Sequence, residues 1–169
     1  MKNKMEEIML SKNLSSEINT QIKLELFSGY LYLSMAAYFE SKNLSGFAHW
    51  MKKQAGEEQE HALKFFEYLN DRGDRVVLQA IDQPQSDFKS PLAVFEQALE
   101  HEKSVTARIN LLYSIAVKDN DYASQTFLNW FVAEQVEEEK NATEIVEWLK
   151  MAGESANALF QINGMLAGR

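Results

Sequence analysis

The stretch Gly56-Glu57-Glu58-Gln59-Glu60-His61 sets an acid and an imidazole three residues apart inside a run with helical periodicity. Side chains at i and i+3 leave a helix from one face. Continuing that face gives Phe47, Met51, Gln54, Glu58, His61, Phe65 and Tyr68, a stripe apolar enough to turn toward a core. A carboxylate buried there without a partner is too costly to keep, so the rest of the chain must supply one. Three other segments carry the same anomaly. Ile18, Glu25, Tyr32 and Phe39 recur at sevens, and seven residues bring a helix within about 20° of two whole turns. Phe95, Ala98, Glu102, Val105, Ile109, Leu112 and Ala116 form a face that is apolar except for Glu102. Leu128, Phe131, Gln135, Glu138, Ala142, Ile145 and Leu149 form another, polar only at Gln135 and Glu138.

These polar positions fall near the middle of their segments, so an antiparallel bundle would bring them to one level. Four carboxylates at one level repel one another unless cations lie between them. Oxygen-rich ligation with a single imidazole suits iron or manganese better than zinc. A pair of metals needs a bridging carboxylate, and Glu58 is well placed to be it. Tyr32, two turns from Glu25 on the same face, reads as a hydrogen-bonding or redox neighbour. Glu57, Glu134 and Glu137 make a second group, for which a solvated rim and an accessory metal position are equally good readings. His49 and His101 read as surface or interface residues, Trp130 as a core or interface aromatic, and Glu60 as surface charge.

The elements that must position these residues follow from local signals. Ser11 or Asn13 would cap a first helix running from Leu14 to about Glu40. After a short connection, Ser45 would cap a second helix that stops at Asn70-Asp71-Arg72-Gly73, antiparallel to the first. Residues 74–90 break the pattern. A helix of about 27 residues is about 40 Å long, and an extended linker at about 3.3 Å per residue can cross that length. A crossover of that reach allows a third helix parallel to the second, a direction taken by analogy with known long-crossover four-helix bundles. Ser90-Pro91 is a strong start for it. Lys118-Asp119-Asn120-Asp121 turns into a fourth helix reaching about Lys150, ended by Gly153. Ser155 would cap a short fifth helix over 155–166, with Ala158, Leu159, Ile162 and Leu166 on one side, which must dock to be stable. The expected architecture is all-α: a four-helix bundle with a long crossover and a short C-terminal helix, in one domain over residues 1–169. Residues 1–10 read as an N-terminal extension.

Bulk composition narrows the function classes. The 169 residues suffice for one domain with a sizeable core. A net charge of −8 argues against a nucleic-acid surface and is compatible both with attracting cations and with solubility alone. The absence of cysteine excludes disulfides, thiolate zinc sites and iron–sulfur clusters, and fits a reducing cytoplasm. No apolar run approaches the roughly 20 residues of a membrane span, and Met1 to Leu10 has no signal-peptide apolar region.

With these residues in place, the chain from about Met9 to Leu166 resembles the non-haem bacterial ferritins. The resemblance rests on Glu25 in Glu-Leu-Phe-Ser-Gly-Tyr-Leu-Tyr-Leu-Ser, on Glu58-Gln59-Glu60-His61, on His101-Glu102, and on Trp130 through Lys140 around Gln135 and Glu138. It implies that Glu25, Glu58 and His61 bind a first iron. Glu58, Glu102 and Glu138 would bind a second, with Gln135 beside it, and Glu57, Glu134 and Glu137 would match a third iron position. Tyr32 and Trp130 match aromatics associated with oxygen chemistry. The implied activity is oxidation of ferrous iron by dioxygen or hydrogen peroxide, with ferric mineral held in a homo-oligomeric shell of about 24 subunits. The chain departs from bacterioferritin, since a second Glu-x-x-His is replaced by Gln135-Val136-Glu137-Glu138, and no haem is expected. Two acids that line the iron channels of animal ferritins are here Leu128 and Gln125. Other readings of the same residues are a storage shell with an impaired oxidation centre and a small carboxylate-bridged oxygenase.

Overall fold

The computed structural model describes residues 10–168; most of the expected N-terminal extension, residues 1–9, lies outside them. The described residues form α1 (Lys12–Ser41), α2 (Ser45–Asp71), α3 (Pro91–Lys118), α4 (Tyr122–Ala152) and α5 (Ala156–Leu166), with no strand among them.

Side-chain pairings give the directions of the helices. Along α1 and α3, Ser11 meets Asp119, Glu17 meets Arg108 and Ser28 meets His101, so the two run antiparallel. Along α2 and α4, Gln54 meets Glu138, Tyr68 meets Ser124 and Arg72 meets Asp121, with the same result. Phe39 stacks on Phe47 where α1 turns into α2, which makes these two antiparallel as well. It follows that α2 and α3 are parallel, as the long crossover requires. That segment lies along α1: Asn19 bonds the backbone of Arg75 and Val77, and Ser34 donates to the Gln85 carbonyl at 2.6 Å.

Start signals were largely local. Ser11, Ser90, Asp121 and Ser155 cap α1, α3, α4 and α5 through side-chain oxygens that accept backbone N–H groups. Asn13 is helical and caps nothing. The second helix corrects the sequence reading, because Ser45 is its first helical residue and Leu44, with no side chain to offer, holds the cap position. Its free N–H groups are satisfied from α5: Asn163 Oδ1 accepts from Gly46 at 2.9 Å and Phe47 at 3.2 Å. A Cβ on Gly46 would lie 1.7 Å from the Asn163 carbonyl oxygen, so only glycine admits this approach. Docking thus gives α5 the partner it needed, with Ile162 and Leu166 buried.

The core divides into two apolar clusters. One gathers Phe39, Phe47, Trp50, Phe95 and Ile145 around the α1–α2 turn. The other gathers Leu14, Ile18, Phe65, Ile109 and Phe131 at the far end. Burying each such side chain contributes roughly 1.5–3 kcal/mol. That surplus offsets the polar layer held between the two clusters.

Candidate metal centre

The layer contains every residue that stood out of place on the four stripes. Glu25, Tyr32, Glu58, His61, Glu102, Gln135 and Glu138 are each at most 4% exposed. Gly29 lets α1 and α2 close on one another there, since a Cβ would meet the Ala55 carbonyl oxygen at 3.1 Å and the Glu58 Cβ at 3.6 Å. The close approach brings Glu25 beside Glu58. One ligand atom from each of Glu25, Glu58 and His61 lies within 4.8 Å of the others, a spacing that could hold a metal ion.

Around this trio the remaining groups are tied down. Tyr32 donates its hydroxyl proton to Glu102. Gln135 Nε2 donates to Glu102 Oε2 at 3.2 Å and to Thr106 Oγ1 at 3.3 Å. Gln54 Nε2 donates to Glu138 Oε2 at 2.7 Å, and Gln21 Nε2 donates to Glu25 Oε1 at 2.9 Å. Glu25 Oε2 and Glu58 Oε2 have no hydrogen-bond partner. His61 Nδ1 is 3.5 Å from Glu58 Oε2, near enough for an ion pair but too long for a hydrogen bond, so Glu58 Oε2 still counts as unsatisfied.

Electrostatics follow from the crowding. Burial, then the nearby Glu58 charge, pushes the Glu25 carboxyl well above its usual range. Glu58 is raised well above it by burial and by Glu102. Burial also raises Glu102, although Tyr32 and Gln135 oppose this by bonding its charged form. Tyr32 is raised by burial and by the Glu102 charge beside it. Such a set either takes up protons or accepts a cation.

The surroundings partly correct the sequence reading. His101 is no surface group: it is half-buried between α1 and α3, with Nε2 2.7 Å from Ser28 Oγ and its ring edge-on to Tyr32. Burial lowers its pKa to about 4. His49 is half-buried. Trp130 is 40% exposed and is not a core aromatic; it covers His61 edge-on, with ring centres 5.4 Å apart. Glu57 and Glu134 are half-buried and Glu137 is exposed, and among the described residues they form no second cluster like that of Glu25, Glu58 and His61. Two functional candidates take no role from the sequence: Gln21 is not named there, and Gln54 is named only as a position on the α2 stripe. Gln21 stands one turn before Glu25, a spacing that favours such a bond, whereas the reach of Gln54 to another helix leaves no local signal.

Fold and site together define a helical bundle with a carboxylate–histidine cluster at mid-height. The family model for the ferritin-like domain matches residues 15–152. The chain belongs to the ferritin family. It is 41% identical over 161 residues to the bacterial non-heme ferritin of Staphylococcus haemolyticus, covering 95% of this chain and 97% of that one. The same identity and coverage hold for the bacterial non-heme ferritin of Staphylococcus aureus strain USA300. Among solved structures, the open pore ferritin of the hyperthermophilic archaeon Archaeoglobus fulgidus has a TM-score of 0.94 at 47% identity, covering 95% of this chain and 98% of that one.

Proposed function

We propose that this protein stores iron and oxidises it on the way in, as a ferroxidase. The observation that carries this reading is the buried trio Glu25, Glu58 and His61, with an unpartnered oxygen on each carboxylate. Ferrous iron is the substrate. Glu25, Glu58 and His61 take one ion; Glu58, Glu102 and Glu138 take a second, with Gln135 beside it. Each ion gives one electron to dioxygen, which gains two protons and leaves as hydrogen peroxide. The ferric ions then hydrolyse water, release protons and pass as oxyhydroxide into the cavity of a shell of about 24 copies. Hydrogen peroxide can serve as the oxidant in place of dioxygen.

The protein's share is geometry and charge. Anionic ligands favour the ferric state, and outer hydrogen bonds orient them. Tyr32 holds its proton against Glu102, the ligand proposed for the second ion. Glu57, Glu134 and Glu137 are proposed as a third iron position. The likeness to non-heme ferritins supports iron without haem, and the lack of cysteine suits a cytoplasmic setting. No helix among the described residues is long and apolar enough to cross a membrane.

Adding ferrous iron aerobically to the metal-free protein tests this reading. Ferric absorbance should rise in a fast phase that Glu58→Ala and His61→Ala, which remove direct ligands, slow by at least the roughly 10–100-fold that loss of an outer-shell partner costs. Equal rates in all three proteins would sink the site. A particle near 24 times the 19.4 kDa chain mass supports the storage shell, while a dimer would favour a small oxygenase.

A further inference from the structure

Three of the four buried carboxylates accept a hydrogen bond from a glutamine amide. Gln135 holds Glu102 at 3.2 Å, Gln54 holds Glu138 at 2.7 Å, and Gln21 holds Glu25 at 2.9 Å. Glu58, the carboxylate shared by both proposed ions, receives none among the described residues. Gln21 and Gln54 are fully buried, and the carbonyl oxygen of each has no partner. A core position filled only for packing is better served by methionine or leucine, which bring no unsatisfied oxygen. What these two glutamines supply is the N–H end, and in both cases it meets a carboxylate of the cluster.

We infer that Gln21 and Gln54 are positioning residues, one for each metal position: Gln21 orients Glu25 for the first ion and Gln54 orients Glu138 for the second. This rests on the ferroxidase reading above. The two act from different directions. Gln21 lies one turn before Glu25 on α1, so it fixes its target within a single helix. Gln54 reaches from α2 to α4, so it also fixes the spacing of the two helices that flank the second position. Tethering one oxygen of an outer carboxylate restricts its rotation about the terminal bond and prepares the group for a cation. In Glu25 the tethered oxygen is Oε1, which leaves Oε2 without a hydrogen-bond partner and available to a cation. Glu58, with no glutamine amide on it, is the carboxylate left to both ions.

The test uses anaerobic titration of the metal-free protein with Co2+, a redox-silent stand-in for ferrous iron, followed by calorimetry. Anomalous scattering from Co2+ in crystals assigns each binding step to its position. Gln54→Met should weaken the second position about 10–100-fold and leave the first within about 3-fold; Gln21→Met should do the reverse. A purely structural role would lower the melting temperature and weaken both positions alike, or neither, and either result overturns the inference. If the methionine variants do not fold, Gln54→Glu and Gln21→Glu keep the shape, replace donor by acceptor, and should show the same split at neutral pH. Should the parent bind two Co2+ and every variant match it, only this inference fails. Should the parent bind none, the metal centre fails and the inference with it.

Discussion

Glu58 is buried among Glu25, Glu102 and Glu138, with a glutamine amide on each of those three and none on itself. Burial and mutual repulsion raise Glu25, Glu58 and Glu102 above the ordinary value of 4.5. A carboxyl raised in the folded state binds its proton more tightly folded than unfolded. Its contribution to stability is therefore fully present below about pH 4.5 and is lost as pH rises through the raised folded values. The metal-free protein should lose unfolding free energy as the pH rises above about 4.5, and Glu25→Gln with Glu58→Gln should flatten that slope. Melting temperatures of chelator-treated protein across this range check it; a parent slope no steeper than the variant's would contradict it. At this scale the sequence was informative wherever a group and its oddity shared one helix. Glu25 and Glu102 announced themselves as single acids on apolar faces, and Gln21 could have been found four residues before Glu25. Neither the bond from Gln54 to Glu138 nor the edge contact of Trp130 on His61 has a local signature, because each needs two helices already placed.

Among the elements, α5 does most to tie distant parts of the chain together. It is too short to persist alone, yet it buries Ile162 and Leu166 and supplies the cap that α2 lacks. Replacing Asn163 by Ala removes an acceptor for two N–H groups and should cost about 1–2 kcal/mol in chemical unfolding. Gly46→Ala should cost as much or more by driving α5 away from α2. A change below about 0.5 kcal/mol for both would show that α5 does not hold the start of α2. The same element shows where sequence reading stopped. Ser90-Pro91 and Ser155 worked as start signals because a cap acts over three residues. Ser45 looked equally good and failed, since the acceptor for α2 stands more than a hundred residues away. The order of the long helices survived this error because the heptad stripes decide it, and the direction of α3 because it came by analogy with long-crossover bundles and owes nothing to the cap.

For the whole molecule, the arrangement is a polar layer suspended between two apolar ends. Phe39, Phe47 and Phe95 pack one end, and Phe65, Phe127 and Phe131 pack the other. Rigid ends allow the middle to carry repelling acids without collapse, and the crossover along α1 gives the helix directions that bring all four acids to one height. The account's central claim is that iron occupies this layer at two positions sharing Glu58. Crystals of the metal-free protein soaked anaerobically with ferrous iron, and measured for iron anomalous scattering, test it most directly. Two peaks are expected, one bounded by Glu25, Glu58 and His61 and the other by Glu58, Glu102 and Glu138. Iron confined to Glu57, Glu134 and Glu137, or absent from the bundle interior, would contradict it.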